Sequence, residues 1–550
     1  MNDPAYTPPS TTPTSTILRS TSNLTPGTRP PYAYRLFEVV AAWLCWVAGY
    51  MLCVVIPITD CLWGAFAYTV VLFVAALWFL GYRNRACILR GVIQALISVL
   101  LSVSYLVTTN TAIMVCVFLF NCINWFYTVF VLSGTSAERF PGDSFVGEAL
   151  SSVFLHPFKA PGNLFVAVFG GGKQEDGTER RGGRFGKTLG LILLGLALAF
   201  IPTLIVGFLL SYDEGFTALL KKLFNLDEIG KIIRNLIFGI LLGAFAFGAL
   251  LTSLNRAREK KDGSLPAEGK TVSPRRGTHV LPVTVACAAL TPVLLLYVIF
   301  FVSQWSYYMS AFFGIRPEEL TYADYARNGF FELCTVAGIN AVLCILASLF
   351  TRRRAADEAH PRRHATHPAL RVFLCLFSVC TLVLIATALS KMFLYVDTYG
   401  LTQKRVYATW FMLLLAVSFV VVFLRQVCRR VNLTGTLLCV FLAFFLAISL
   451  VNVDRLIVSY NVQACLDGNI YTMQGEVLED AGVSGVLPAL NFMAQTEGTQ
   501  DPALVEIREK TDRWLARMSQ ELHNMKPGEK NIPILQAERA LQASGRYAMR

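Results

Sequence analysis

The sequence predicts an all-α fold, a polytopic transmembrane helical bundle of about 11 spans with a small helical C-terminal extracytoplasmic domain. Three observations carry this reading. The 550-residue chain is 55% hydrophobic and only 15% charged, with a mean hydropathy of +0.53, too apolar for a soluble globular protein. Many windows supply the roughly 20 apolar residues that a spanning helix needs. Lys and Arg sit in every second loop rather than in one patch, so the net charge of +12 is the positive-inside signal and gives no reason to expect nucleic acid.

Residues 1–31 are rich in Ser, Thr and Pro with almost no large apolar side chains, the composition of a disordered tail. The first apolar stretch, 36–56, is too long for a signal-peptide core and lacks a small-residue cleavage pattern, so it reads as a retained span. Further spans are expected at 62–81, 88–108, 111–133, 187–210, 231–253, 280–302, 328–350, 369–392, 406–425 and 434–452. The tail and the alternate loops that follow it carry about 29 Lys and Arg, against about 9 in the remaining loops. That asymmetry puts the N-terminus inside and, with an odd number of spans, the C-terminus outside.

Two loops read as helices lying in the interface. Phe216, Leu219, Leu220, Leu223 and Phe224 form one stripe within 213–226, with Lys221 and Lys222 off it. Inside, Asp143 is placed to cap a helix whose Phe145, Val146, Ala149, Leu150, Val153 and Phe154 form a similar stripe. Most of the 14 cysteines fall in apolar segments, where a thiol is a small packing group. Cys61 and Cys465 both fall outside, where a disulfide is open to them, with free thiols the expectation.

From Asp454 onward the chain is mixed in charge and helical in pattern, giving a domain division of 1–31, 32–453 and 454–550. A helix is expected from the membrane edge through Leu456, Ile457 and Tyr460 to a stop at Gly468. Another covers 476–493 with a break at Pro488. Leu504, Ile507, Trp514, Leu515, Met518 and Leu522 share one face of a third, capped by Asp501 with Pro502 in its first turn.

The candidate site is a charged, Tyr-rich layer at the outer ends of the spans: Tyr325, Arg327, Glu332, Lys391, Asp397, Tyr399, Arg405, Asp454 and Arg455. On a helix, Tyr325, Asn328, Glu332, Val336 and Asn340 share a face, which places Glu332 a turn or two inside the membrane boundary. A carboxylate at that depth requires a protein or water-lined setting and a cationic partner, with Arg327, Lys391 and Arg405 on the same side. The layer is either a ligand pocket open to the outside or an ion-pair network fixing helix ends.

No motif indicates a catalytic residue, a metal or a cofactor. The run from Gly182 to Thr188 resembles a phosphate loop but has Arg181 where the leading glycine belongs. His360, His364 and His367 stand among arginines that repel cations.

Three blocks resemble a bacterial family. Tyr322-Ala-Asp-Tyr-Ala-Arg-Asn-Gly-Phe-Phe-Glu-Leu333 is similar to its "TYAEYAREGFFQL". Lys391-Met-Phe-Leu-Tyr-Val-Asp-Thr-Tyr-Gly-Leu-Thr402 is similar to "RMLLYEDAYGLT", and Asn452 to Asn461 to "NPDALIARYN". These resemble the polytopic membrane proteins grouped as domain of unknown function 4173, with 4153 a related label. The chain departs from them at Asn328, where an acid is usual, and at Ser484 to Leu490, where "DAVPAL" is typical. The resemblance implies a bacterial cytoplasmic-membrane protein and implies no activity. The function expected is a non-enzymatic envelope scaffold or sensor. Its partners are the lipid bilayer and an envelope protein or lipid, without nucleic acid. The alternatives are a transporter with its site near Glu332 and Lys391, or a membrane-embedded lipid- or glycan-modifying enzyme.

Overall fold

The computed structural model describes residues 36–55, 60–81, 87–134, 136, 142, 145–169, 226–261, 282–303, 330–351, 367–428, 431–470, 475–545 and 547. The elements found there are helices. They begin with α1 (Leu36–Val55), α2 (Leu62–Ala76, extended by a π-turn at Leu77–Gly81), α3 (Ile88–Ser102, continued by Ser104–Val107) and α4 (Thr111–Leu132). Short pieces at Phe145–Leu150, Ser151–Leu155 and His156–Lys159 lead to α5 (Asn163–Phe169). Long helices follow: α6 (Leu226–Lys261), α7 (Val283–Ser303), α8 (Phe330–Phe350), α9 (Pro368–Tyr399), α10 (Gln403–Val427) and α11 (Leu433–Leu450).

Among the described residues, nine helices are long and apolar enough to cross a membrane, and α8 contributes a shorter apolar stretch, Leu333–Ser348. The protein is therefore a multi-pass helical membrane protein. The expected span at 187–210 and the expected interfacial helix at 213–226 lie outside the described residues, apart from Leu226, as does the tail 1–31. Helix α9 is about two turns longer than the apolar count predicts. It runs through Lys391 and the tyrosines to Gly400, because its last turns leave the apolar zone without losing backbone hydrogen bonds.

Lipid tails are as apolar as leucine, so burial alone cannot hold spans together, and close backbone approach has to do so. The α1–α6 pair does this with glycine. The two helices run antiparallel, and a Cβ on Gly49 would lie 2.2 Å from the Gly239 carbonyl oxygen, one on Gly243 2.8 Å from the Cys45 oxygen. Gly239 and Gly243 are the small-xxx-small spacing that permits such contact. At the end of this pair Arg258 meets Glu38 at 2.5 Å, with Glu38 1% exposed.

Several of the described arginines at that end have partners. Arg90 reaches Ser136, which donates to Glu148. Arg256 contacts His156 Nε2 at 3.2 Å, while Nδ1 faces Ser253 Oγ. Burial, then Arg256 and Lys159, holds the His156 imidazole down at about 4, so it is neutral at physiological pH. The stripe expected at 145–154 splits. Phe145 and Ala149 pack on Tyr127 and Phe130, while Val146, Leu150 and Phe154 stay about half exposed or more, as suits an interfacial helix.

Helices α7 to α10 form a second group, pinned in its interior by one polar chain. Tyr297 Oη donates to Asn340 Oδ1 at 2.5 Å, and Asn340 Nδ2 donates to Thr381 Oγ1 at 2.8 Å. This links α7, α8 and α9, and α11 packs between α10 and the α3–α4 pair.

The C-terminal residues form α12 (Val453–Leu466), α13 (Gly475–Ala481), a 3₁₀ turn (Gly482–Gly485), α14 (Val486–Gln495), α15 (Pro502–Asn524) and α16 (Ile532–Ala543). The break expected at Pro488 occurs instead at Gly482–Gly485. Gly482 has φ +49°, and Pro488 sits in the first turn of α14, where no intrahelical amide bond is lost. Helix α15 has the expected Asp501 cap, donated to by the Ala503 amide at 3.0 Å, and buries Ile507, Trp514, Leu515, Met518 and Leu522. Cys61 and Cys465 are free thiols.

Replacing Gly243 by valine forces α1 and α6 apart. It is expected to lower the detergent melting temperature by several degrees or to abolish folded yield, an overpacking cost of about 1–3 kcal/mol. Gly338→Ala is the control, since an added Cβ there meets nothing within 4 Å; its melting temperature should not fall.

Candidate functional site

The C-terminal helices dock on one end of the bundle, opposite the Glu38–Arg258 end. There they meet the connections between α1 and α2, between α3 and α4, and between α9 and α10. The α3–α4 and α9–α10 connections present backbone groups that the spanning helices no longer satisfy, and asparagines supply the partners.

The α9–α10 turn is the most completely bonded. Gly400 takes φ +76°, and a Cβ there would lie 2.4 Å from Asn461 Oδ1, so glycine is required on two counts. Asn461, 4% exposed on α12, accepts from the Leu401 amide at 2.7 Å and donates to the Leu401 carbonyl at 2.7 Å. Arg405, 7% exposed, closes the other side. Its Nη1 donates to the carbonyls of Tyr399 (3.0 Å) and Gly400 (2.5 Å), and its guanidinium lies 4.2 Å from the Tyr395 ring centroid. Tyr395 packs edge-on against Tyr399. Thr402 caps α10.

Two more asparagines repeat the device. Asn452 caps α12 and donates to the Val107 carbonyl and to Ser484 Oγ, which also pairs with Thr109 Oγ1 at 2.7 Å. Ser484, the start of the stretch that departs from the family pattern, is thus part of the docking surface. Asn531 is fully buried, caps α16 and donates to the carbonyls of Tyr105 and Thr108. Trp63 Nε1 donates to the Lys530 carbonyl, and Gly528 lies against the Asp60 backbone.

The sequence-predicted residues distribute unevenly over this joint. Tyr399, Arg405 and Asp454 are part of it, and Lys391 is buried on α9 one turn before Tyr395. Asp397 and Arg455 are exposed, Arg455 reaching Gln536 Oε1 at 3.5 Å. Tyr325 and Arg327 lie outside the described residues, as does the side chain of Glu332, which belongs to the first turn of α8. Sequence reasoning missed Asn461, Asn531, Asn452 and Gln403. Asn452 and Gln403 stand near expected helix ends, but no sequence signal singled out Asn461 or Asn531.

Asp454, 2% exposed, is the joint's buried carboxylate. Gln403 Nε2 donates to it at 2.8 Å and to the Asp480 carbonyl at 2.9 Å. Burial pushes the Asp454 carboxyl up to about 6, and Asp480 adds to the rise, while hydrogen bonds from Gln403 and Asn110 oppose it. Tyr407 faces it from α10. The surroundings are amides, a phenol and a second acid, a setting suited to holding helices in place more than to moving protons onto a substrate. Among the described residues, no three His, Cys, Asp or Glu side chains gather as a metal shell would require.

Two outcomes follow. Folded Asp454 keeps its proton to a higher pH than the unfolded carboxyl, near 3.8. Its contribution to stability is therefore full below that value and is lost as pH rises through about 6. Asp454→Asn should remove this slope and raise stability at pH 8 by of order 2 kcal/mol relative to wild type, read from unfolding curves at pH 5 and pH 8. Asn461→Ala leaves the Leu401 amide and carbonyl without partners, a loss of about 2–4 kcal/mol. Hydrogen exchange should accelerate across 453–495 while α1 and α6 stay protected.

Over residues 95–488 the chain matches the family model DUF4153, a domain of unknown function. The matched segment runs from α3 to the first turn of α14 and includes the α9–α10 turn, Arg405, Asp454 and Asn461. No curated protein and no solved structure matches the chain. Since the family model covers well over half of the sequence, including most of the joint just described, the protein belongs to the DUF4153 family.

Proposed function

We propose that this protein is a non-enzymatic platform of the bacterial cytoplasmic membrane, a scaffold or sensor. In this reading its spans number eleven, its N-terminus lies inside, and residues 454–550 form a helical domain held rigidly on the outer face. The observation that carries the reading is the joint. Three asparagines, two of them buried, and Arg405 tie the C-terminal helices to backbone groups of span connections, so these helices have a fixed pose relative to the bilayer. A fixed pose is what a docking platform needs and a tethered tail lacks.

Orientation is supported by the way charge and packing coincide. The arginine-rich end is opposite the joint, as the positive-inside rule requires of a cytoplasmic face. The span count is supported by connectivity. Helix α5 packs beside Ala41 and Leu250 toward the arginine-rich end, while α6 begins beyond Gly239, which meets Tyr50 toward the other end. The chain between them therefore joins opposite ends of the bundle, and the apolar stretch 187–210 lies within it. Against a transport path between α8 and α9 stands the Tyr297–Asn340–Thr381 chain, which fastens that interface. Of the candidate layer, Lys391, Tyr399, Arg405 and Asp454 are assigned to anchoring the platform, with the exposed Asp397 and Arg455 at its rim.

Single cysteines test this. In a background with the other thiols replaced, Ser459→Cys should react with an impermeant maleimide on intact cells, and native Cys428 only after permeabilisation. Photo-cross-linkers at the exposed positions Glu509 and Arg513 should capture an envelope protein or lipid, and capture should fall several-fold with Asn461→Ala. Reaction of Ser459→Cys only after permeabilisation, or no adduct at either position, rejects the reading.

A further inference from the structure

Helices α1, α2, α4 and α6 enclose a cavity of about 390 Å³ whose wall is almost wholly apolar. Val47 of α1 and Val71 of α2 line it and are 53% and 67% exposed, so it opens sideways between these helices, toward lipid. On its α4 wall stand Asn121 and Trp125, four residues apart and hence on one helix face. Asn121 is 6% exposed, yet neither its Nδ2 nor its Oδ1 has a hydrogen-bond partner, and Trp125 Nε1 has none either. The hydroxyl of Tyr105 interacts with the Asn121 side chain but does not complete a hydrogen bond to it.

Buried polar groups are nearly always paired, because leaving them unpaired is costly, and within a bilayer water offers no relief. Asn121 stands ten residues into the 22-residue α4, about 15 Å from either end at 1.5 Å per residue. That is the middle of a hydrocarbon core of about 30 Å. A phospholipid head group does not reach this depth, and no charged side chain lines the cavity to receive one. The Tyr105 hydroxyl can take up one Asn121 group at most, and the groups left over, with Trp125 Nε1, suit a neutral oxygen carried by an otherwise lipid-soluble molecule.

We infer that this cavity binds a lipid-soluble quinone-type molecule, with Asn121 Nδ2 and Trp125 Nε1 donating to one carbonyl oxygen and the tail leaving between α1 and α2. A flat ring suits the aromatic part of the wall, which includes Phe73, Phe79, Phe118 and Phe126. Asn121 Oδ1 adds an acceptor, so the reduced, hydroxyl-bearing form of the same ring is also accommodated. The volume falls within the range of small-molecule sites.

The test uses the purified full chain in detergent with decyl-tailed benzoquinone as the probe and decylbenzene, the same tail without oxygens, as the comparison. The quinone is expected to bind saturably at one per chain and to raise the melting temperature, with decylbenzene at least tenfold weaker. Asn121→Leu should weaken quinone binding about tenfold and Trp125→Phe several-fold. Without ligand, Asn121→Leu should melt at or above the wild-type temperature, because it removes an unpaired amide, so lost binding is not lost folding. Equal affinity for both probes, or wild-type affinity in Asn121→Leu, overturns the assignment and leaves a gap filled by ordinary acyl chains.

Discussion

The structure depends on what happens to the backbone where a spanning helix stops. Inside the hydrocarbon layer a helix satisfies its own amides and carbonyls, but the turn that joins two helices cannot. At the α9–α10 turn the chain bends within three residues, through Gly400, Leu401 and Thr402. The groups released there are taken up by Asn461 from one side and Arg405 from the other. The side chain of Asn461 mimics a peptide unit, offering one donor and one acceptor to the one donor and one acceptor of Leu401. This single pairing settles where α12 lies and, through α12, where the rest of the C-terminal helices pack.

The same logic explains why the C-terminal core and the bundle are continuous. Leu101, Tyr105, Ile113 and Met114 from the spans share an apolar cluster with Ile457, Phe492, Trp514 and Leu541. Burial of these side chains supplies the driving force, since this part of the chain leaves lipid and meets water. The asparagines supply the register, because an apolar contact is tolerant of sliding and a two-point amide pairing is not. At the opposite end arginines act locally, as Arg258 does on Glu38 and Arg371 on the Gln426 carbonyl.

Much of this architecture was legible in the sequence. Spans announce themselves by length and hydropathy, and the α15 face from Ile507 to Leu522 follows from spacing and a capping aspartate. The joint was only partly legible. Charge drew attention to Arg405 and Asp454, which are in it, but equally to Asp397 and Arg455, which are exposed, since charge in a sequence does not say which way a side chain turns. The asparagines that do the fastening carry no charge and no periodicity, and Asn461 becomes meaningful only once Gly400 is known to be its neighbour. The Gly49–Gly239–Gly243 contact is similar: one half is a spacing within α6, the other a lone glycine nearly 200 residues away. The Pro488 misplacement has a plain cause, in that proline breaks a helix only beyond its first turn.

Asn340 and Asn121 bring these strands together. Both are neutral amides near the middle of spanning helices, where bonding between helices is the ordinary role of such a group. Asn340 meets that expectation with Tyr297 and Thr381, and three helices are joined as a result. Asn121 has a lipid-facing cavity in front of it and no completed bond. The difference between the two amides is what the inferred ligand of the cavity accounts for.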